Sequence, residues 1–288
     1  MKRIILPGYF IMISFFSVQG QHSSQDSLLT DLGFYADVMV NADLDAHRIK
    51  AHEKFYGILK SFLSAPASCQ VPLDSIPWIS VIKNENFRII SWQLRISNEE
   101  YKYGGFIQWP DKVVELKDTR PWLNGSLRST YTPAAWYGAL YYELIPYKKD
   151  AYVLFGFNAE NSLVNTKVVD ILDLSGEEPK FGLPVFVGID DPQSRLILTY
   201  ADASSVQLLF DPELNAIVHD HLEQLPGIGP EGQMLAVSDG SQEGWFHKNG
   251  KWVYQEKVYD VKSDVPPMSD ERKERKEDKD ILGRPKKG

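Results

Sequence analysis

The sequence predicts an α+β fold that is mainly β: an N-terminal helical hairpin packed on a large antiparallel β-meander, which forms a sandwich or a barrel-like sheet. Three observations lead to this prediction. Apolar residues recur at helical spacing over residues 26–64. From residue 71 to residue 260, apolar residues alternate with polar ones along short runs that are joined by turn-like connectors. Aromatic residues make up 12% of the chain, which favours an aromatic-rich β-core or a groove for a sugar or a peptide.

The first 20 residues have the pattern of a signal peptide. Lys2 and Arg3 precede an apolar run that ends near Val18, and small residues stand before a cut that we place at Gln21. The run is shorter than the roughly 20 apolar residues that a membrane span needs, although an uncleaved N-terminal anchor is the alternative. We therefore expect export to the periplasm or the extracellular medium, with no transmembrane span after cleavage.

Two helices make up the predicted hairpin at 26–64. Asp26 or Ser27 can cap the first helix, because a side-chain oxygen there accepts hydrogen bonds from the free N–H groups of the first turn. Residues 41–43 interrupt the apolar pattern, and the second helix runs to about Ser64 before Pro66 stops it. Helices this short rarely stand alone in water, so we expect the hairpin to pack on the β-body at 71–260.

The β-body consists of short strands with tight connections. Connectors of only a few residues require antiparallel neighbours, because a parallel pair needs a long crossover. Asn249 and Gly250 stand between two such runs and predict a type I′ hairpin. The predicted strands lie at 76–82, 87–96, 101–109, 112–116, 136–145, 151–157, 166–174, 195–200, 206–210, 216–221, 234–237, 244–247 and 251–259.

The strand at 87–96 is the clearest of these. Alternation places an apolar set on one face, which predicts a core contact: Ile90, Trp92, Leu94 and Ile96. The opposite face is mostly polar and carries Ser91 and Gln93. These two side chains either line a site or are hydrogen-bonded beneath the N-terminal helices, and we expect the second.

Charge and cysteine content exclude several classes of protein. The chain carries −8, and residues 1–20 and 262–288 each carry +2, so residues 21–261 carry −12. An acidic body argues against nucleic acid or anionic lipid as the main partner. Cys69 is the only cysteine, so no intramolecular disulfide can form, and its thiol is either buried or free to pair with another chain. We expect one folded domain at 21–262 and a charged, disordered tail at 263–288, because the tail has no apolar face to dock.

Three short motifs match known patterns without their structural context. Residues 227–232 match the dinucleotide pattern G-x-G-x-x-G, but prolines flank the motif and no helix follows it. Ser80 and Lys83 match S-x-x-K on a predicted strand, where positions three apart point to opposite faces. Residues 239–244 imitate half of a calcium loop, but Gly250 stands where a bidentate carboxylate is needed, so we interpret them as a tight turn between strands.

His219, Asp220 and His221 form the one cluster with candidate chemistry. On a strand, His219 and His221 share a face, which is one way to place two imidazoles on a metal. Further ligands could come from His247, Asp211 or Glu223, which the sequence does not place. An ordinary cluster at the end of a strand is the alternative, and we assign no metal and no cofactor.

Several short motifs follow one another in a characteristic order, at 87–93, 105–108, 136–142, 154–158, 167–172, 181–182, 210–211, 219–222, 238–240 and 249–252. Their order resembles that of a family of exported proteins of unknown function from Gram-negative bacteria. The resemblance covers residues 28–260 and implies that the signal peptide, the hairpin and the β-body belong together as one unit; it implies no catalytic role.

Two functions remain open at the level of sequence. The first is a non-enzymatic binding or structural module of the cell envelope, which binds a ligand or an envelope protein on a polar and aromatic sheet face. That face would carry Ser91, Gln93, Gln108, Tyr142 and Asn158. The alternative is a hydrolase or metal-dependent enzyme that uses the cluster at 219–221. Both sets also have a structural interpretation, in which buried polar groups are hydrogen-bonded within the protein.

Overall fold

A computed structural model describes residues 16–97, 99–119, 127–159, 161–188, 192–226 and 234–258, with side chains from residue 26 onward. Residues 1–15 of the predicted signal peptide, the glycine motif at 227–232 and the predicted tail at 263–288 lie outside these ranges. Within the described ranges, no helix is both long enough and apolar enough to cross a membrane.

The helical hairpin is confirmed, with α1 at Phe16–Asn41 and α2 at Asp45–Leu63. The predicted cap at Asp26 or Ser27 is wrong. The helix already runs through residues 16–25, which contain no proline to stop it, so both residues lie in its interior.

The described part of the β-body has close to the predicted set of strands. Two strands, β8 and β9, were not predicted, because they are too short to show an alternating pattern. The predicted strands at 234–237 and 244–247 are parts of one strand, β13. The strands are β1 (Ile79–Lys83), β2 (Arg88–Arg95), β3 (Tyr101–Gln108), β4 (Val113–Lys117), β5 (Leu140–Lys148), β6 (Ala151–Ala159), β7 (Val164–Asp173), β8 (Lys180–Phe181), β9 (Phe186–Val187), β10 (Arg195–Ala201), β11 (Leu208–Asp211), β12 (Ala216–Leu225), β13 (Leu235–Lys248) and β14 (Lys251–Gln255).

These strands form three sheets. The first sheet has the order β1-β2-β3-β4 and the second has the order β10-β7-β6-β5, with β8 paired to β7. The third sheet has the order β11-β12-β13-β14-β9, and all its pairs are antiparallel except β14 with β9. The mainly β, α+β class is confirmed. Nearly all neighbouring strands are antiparallel, as short connectors require.

The helices and sheets stack in layers with an apolar core between each pair. The helices cover one face of the first sheet, where Ile90, Trp92 and Leu94 are buried as predicted. The other face of the first sheet packs on the second sheet, around residues such as Ile89 and Leu154. The second sheet packs in turn on the third.

The predicted turn at 239–244 is wrong. β13 continues through this segment, and the register between β12 and β13 shifts so that residues 239–241 stand opposite His221. Gly240 has φ +85°, a conformation that glycine adopts without the steric cost of a Cβ. The sequence therefore encodes a bulge here, whereas the predicted hairpin at Asn249 and Gly250, with φ +50° and +73°, is confirmed.

Candidate functional sites

The five residues predicted to share a binding face do not share one. Three of them lie between the first and second sheets and are bonded to protein groups. Ser91 Oγ accepts the Tyr141 N–H at 3.0 Å, and Asn158 Nδ2 donates to the Gly138 carbonyl at 2.7 Å. Gln93 Oε1 accepts the Tyr103 hydroxyl at 3.3 Å. Ser91 and Gln93 are therefore hydrogen-bonded within the protein as expected, but against the second sheet and not beneath the helices.

Gln108 lies on the opposite face of the first sheet. Its backbone stands opposite Arg88 on β2, so it shares the face of Ile90 that the helices cover. Its Oε1 accepts from Arg88 Nε at 2.8 Å, and its Nε2 donates to Leu63 O at 2.9 Å and to Ser68 Oγ at 2.8 Å. The side chain ties the end of α2 to the sheet.

Tyr142 occupies a third place, between the second and third sheets. Its hydroxyl donates to the Leu208 carbonyl at 3.1 Å, and Lys167 Nζ lies 6.0 Å from the centre of its ring. The prediction of one shared face is thus wrong, because alternation fixes faces along one strand but says nothing of how faces on different strands correspond.

His219 and His221 do share a face of β12, as predicted. Glu243 on β13 stands between them. His221 Nδ1 lies 2.5 Å from Glu243 Oε1, and His219 Nε2 lies 3.9 Å from Glu243 Oε2. Glu243 was not among the candidate ligands, because its position opposite His219 depends on the β12–β13 register, which the sequence does not show.

The two imidazoles differ in what they can do. His219 is buried, its Nδ1 lies 3.0 Å from the Asp220 carbonyl, and its Nε2 accepts the Trp245 Nε1–H at 3.2 Å. Both contacts fit a neutral ring with its proton on Nδ1, and burial lowers the pKa of His219. His221 is 42% exposed, and its hydrogen bond to Glu243 raises its pKa.

The rest of the predicted cluster points elsewhere. Asp220 Oδ2 accepts the Gln207 N–H at 2.9 Å, at the edge of the sheet. His247 packs against Tyr147 and Trp252. Among the residues that the structure describes, no three His, Cys, Asp or Glu side chains are arranged to hold a metal ion.

Three arginines are buried in the described part of the chain, and one of them differs from the others. Arg48 pairs with Asp45, and Arg195 pairs with Asp170 at 3.0 Å. Arg88 is 6% exposed and forms no ion pair with a described carboxylate. Arg88 was not among the residues predicted from the sequence, although its position on the apolar face of β2, two residues before Ile90, was a usable signal.

The guanidinium of Arg88 is only partly hydrogen-bonded. Nε donates to Gln108 Oε1, Nη1 donates to Val71 O at 2.6 Å, and Nη2 donates to Ser68 O at 3.0 Å. A guanidinium carries five N–H groups, so two have no acceptor among the described residues. Burial lowers the pKa of Arg88, while the Cys69 and Asp74 side chains act in the other direction.

Arg88 lines a cavity of about 320 Å³ at the end of the first sheet. Cys69 lines it too, and this residue is half-buried. Lys83 and Asp74 also lie on the cavity wall, with 3.9 Å between Nζ and Oδ2. Both side chains are mostly exposed, which leaves them free to separate around a ligand.

Comparison of the chain with family models, curated proteins and solved structures finds no match. The resemblance to exported proteins of unknown function therefore stays an expectation from the sequence.

Proposed function

We propose that the protein is an exported, non-enzymatic binding module of the cell envelope that holds a small carboxylate-bearing ligand, free or on an envelope partner, in the cavity at Arg88. The observation that carries this proposal is the buried guanidinium of Arg88, which has no carboxylate partner within the described residues and keeps two free N–H groups. The other two arginines that are buried in the described residues, Arg48 and Arg195, each form an ion pair with an aspartate.

A buried charge without a partner costs free energy. Removing a partner from a buried ion pair typically costs about 3–5 kcal/mol, so an arginine without a carboxylate needs other compensation. Carbonyl oxygens of Ser68 and Val71 supply part of it. A ligand carboxylate can supply the rest, because its two oxygens match the geometry of paired guanidinium N–H groups.

The cavity favours a singly charged group over phosphate. Asp74 and Glu85 also lie on its wall, and they would repel a doubly charged anion more strongly than a carboxylate. Lys83 is placed to add a second cation when its exposed contact with Asp74 opens. The volume of about 320 Å³ suits a short-chain acid or an amino acid.

A thermal-shift titration with short-chain carboxylates and free amino acids tests the ligand class. We expect at least one compound to raise the melting temperature in a concentration-dependent way, because a ligand that binds only the folded state stabilises it. Lys83→Gln should raise the ligand concentration that gives half of the maximum shift about tenfold. Lys54→Gln, the same change at an exposed position of α2, is the matched control and should keep it. A panel without any shift, or an equal loss in both variants, would contradict the proposal.

Export is supported by the charged start and apolar run of residues 1–18. The packed apolar side chains described in α1 begin at Leu28, so a cut at Gln21 removes none of them. Expression in a Gram-negative host followed by N-terminal sequencing should give a mature chain that starts at Gln21, in the periplasm or the medium. Retention of the intact N-terminus in the cytoplasm would contradict export.

A second candidate function is that of a hydrolase or other enzyme, favoured by the 2.5 Å contact between His221 and Glu243. A carboxylate on Nδ1 leaves Nε2 of a half-exposed imidazole available as a general base. Chromogenic ester, phosphate and glycoside substrates test this candidate. Turnover that falls about 100-fold or more in His221→Asn would support it, and absence of turnover by the wild type would remove its support.

A further inference from the structure

Cys69, the single cysteine of the chain, lies on the wall of the Arg88 cavity. It is the middle residue of a 3₁₀ turn at Ser68–Gln70, which follows α2 along the chain. The Val71 N–H donates to the Ser68 carbonyl at 3.1 Å and closes this turn. The backbone on both sides of Cys69 is therefore held in place.

The same turn holds the guanidinium of Arg88. The Ser68 carbonyl, just before Cys69, accepts from Nη2 at 3.0 Å, and the Val71 carbonyl, two residues after it, accepts from Nη1 at 2.6 Å. Burial lowers the pKa of Arg88 and the Cys69 side chain acts in the opposite direction, so the two side chains are close enough to interact.

Arg88 supplies the second observation that points to a ligand beside the cysteine. Its side chain is buried, with 6% of the residue exposed, and two of its five N–H groups have no acceptor among the described residues. A carboxylate bound to those two groups would lie beside the turn that carries the thiol. Any ligand that the arginine holds is thus presented to Cys69.

A thiol next to a carboxylate site can react with a disulfide that carries a carboxylate. The thiolate of the cysteine attacks one sulfur of the disulfide, a bond forms between Sγ and that sulfur, and the disulfide bond of the ligand breaks. The other half leaves as a thiolate and takes up the proton that the cysteine lost. The cysteine is oxidised and the departing sulfur is reduced, so the reaction needs no further oxidant.

We infer that Cys69 forms a mixed disulfide with a small disulfide whose halves each carry a carboxylate near the sulfur, such as cystine. This capture depends on the carboxylate site proposed at Arg88 and specifies the class of ligand that the site takes. The volume of about 320 Å³ suits one half, which has the size of an amino acid. The oxidising compartments expected for an exported chain are those in which disulfides persist.

The product should be long-lived, because the chain has no second cysteine that could displace the captured half. An external thiol would release it by the same exchange in reverse. Binding of the carboxylate at Arg88 should also accelerate the capture, because it turns an encounter in solution into a reaction within one complex.

Mass spectrometry of the purified protein after reaction with two disulfides tests this capture. The probes are cystine and hydroxyethyl disulfide, which is neutral and has no carboxylate. Each rate on the folded protein is divided by the rate on the same protein in urea, which removes the difference in intrinsic reactivity between the probes. We expect this ratio to be about tenfold higher for cystine, or more, and Cys69→Ser to form no adduct.

Variants separate the carboxylate contact from the reactivity of the thiol. Arg88→Gln should abolish the preference for cystine, and Lys83→Gln, which removes a second cation from the cavity wall, should lower it about fivefold. Lys83 is mostly exposed, so its variant gives a readout even if Arg88→Gln does not fold. Lys54→Gln, at an exposed position of α2, is the matched control and should keep the preference.

A thermal-shift titration of Cys69→Ser with carboxylates distinguishes failure of the capture from failure of the site. If a carboxylate stabilises this variant but cystine has no preference over hydroxyethyl disulfide in the wild type, the capture is wrong and the proposed function stands. If carboxylates and cystine are both without effect, both proposals are wrong. Fast reaction at equal ratios with both disulfides would also overturn the capture, because it would show a reactive thiol without recognition of a carboxylate.

Discussion

At the scale of single residues, the Asp170–Arg195 pair shows how this fold stabilises a buried charge. Neither side chain is exposed, their contact is 3.0 Å, and Arg195 Nη2 also donates to the Phe181 carbonyl at 3.1 Å. The Arg195 guanidinium lies 4.6 Å from the centre of the Tyr131 ring. Burial raises the pKa of Asp170, and the arginine opposes that shift. Each charge therefore depends on the other.

Removal of the arginine should destabilise the protein strongly. Arg195→Met leaves Asp170 buried without its cation, and we expect a loss of about 3–5 kcal/mol in the free energy of unfolding, measured in urea. Lys149→Met, at an exposed position between β5 and β6, should change it by less than about 0.5 kcal/mol. A small effect of Arg195→Met would contradict the importance of the pair, and Asp170→Leu in the same chain should recover part of the loss.

His219 and His221 should give opposite dependences of stability on pH. Glu243 raises the folded-state pKa of His221 above 6.5, so this contact stabilises the protein below that pH and the stabilisation disappears as the pH rises through the raised pKa. Burial lowers the pKa of His219, so its contribution is present above pH 6.5 and is lost as the pH falls.

The sign can be checked on the exposed residue. His221→Gln should lower the free energy of unfolding by about 0.5 kcal/mol at pH 5.5, a small value because solvent screens a half-exposed pair. The effect should be smaller at pH 9, where the imidazole is neutral. Chemical denaturation of both proteins at the two values measures the difference. An effect of equal size at both pH values would mean that the Glu243 contact does not depend on the charge of His221.

At the scale of elements, two glycines test the assigned backbone conformations with the same substitution. Gly250 closes the β13–β14 hairpin with φ +73°, whereas Gly57 stands exposed in α2 with nothing within 4 Å of an added methyl group. Gly250→Ala should destabilise the protein by about 1–2 kcal/mol, and Gly57→Ala should stabilise it by about 0.5–1 kcal/mol. Thermal unfolding of both variants measures the two shifts, and shifts of the same sign would contradict one of the two conformations.

Element positions followed from the sequence, whereas relations between elements did not. Alternation identified Ile90, Trp92 and Leu94 as a core face because it needs only one strand. The prediction placed Gln108 on the same face as Ser91, which is wrong. The face of Gln108 depends on the β2–β3 register, which pairs it with Arg88, and the sequence does not show that register. Strand register and pairing, which the sequence does not show, also place Glu243 beside the two histidines and divide the meander into three sheets.

The sites differ in how visible they were. The shared face of His219 and His221 could be predicted from their spacing, since residues two apart on a strand lie on one side. The cavity at Arg88 is formed by segments near residues 68–74, 83–88 and 108–110, which only the folded chain brings together. Arg88 itself broke the apolar alternation of β2, a local inconsistency of the kind that often marks a functional position.

At the scale of the whole molecule, the layers predict which parts the fold can lose. Each core lies between two adjacent layers, and among the side chains described from residue 26 onward the first packed one is Leu28. A chain of residues 21–262 should therefore melt within about 2 °C of the full chain, because it keeps every packed apolar side chain that the structure describes and the removed C-terminal sequence is mostly charged. Calorimetry of the two chains measures the difference. A loss of more than about 5 °C would mean that an end of the chain packs on the folded body.

A carboxylate-bearing ligand in the cavity at Arg88 should shield the single cysteine of the chain, which therefore reports directly on the proposed binding. Cys69 lines that cavity, so the rate at which a thiol reagent modifies it depends on whether the cavity is filled. The carboxylate that stabilises the protein in thermal-shift titrations should slow the modification at least tenfold, with the same half-effect concentration. If that compound raises the melting temperature and leaves the modification rate unchanged, the ligand binds elsewhere and not in the cavity at Arg88.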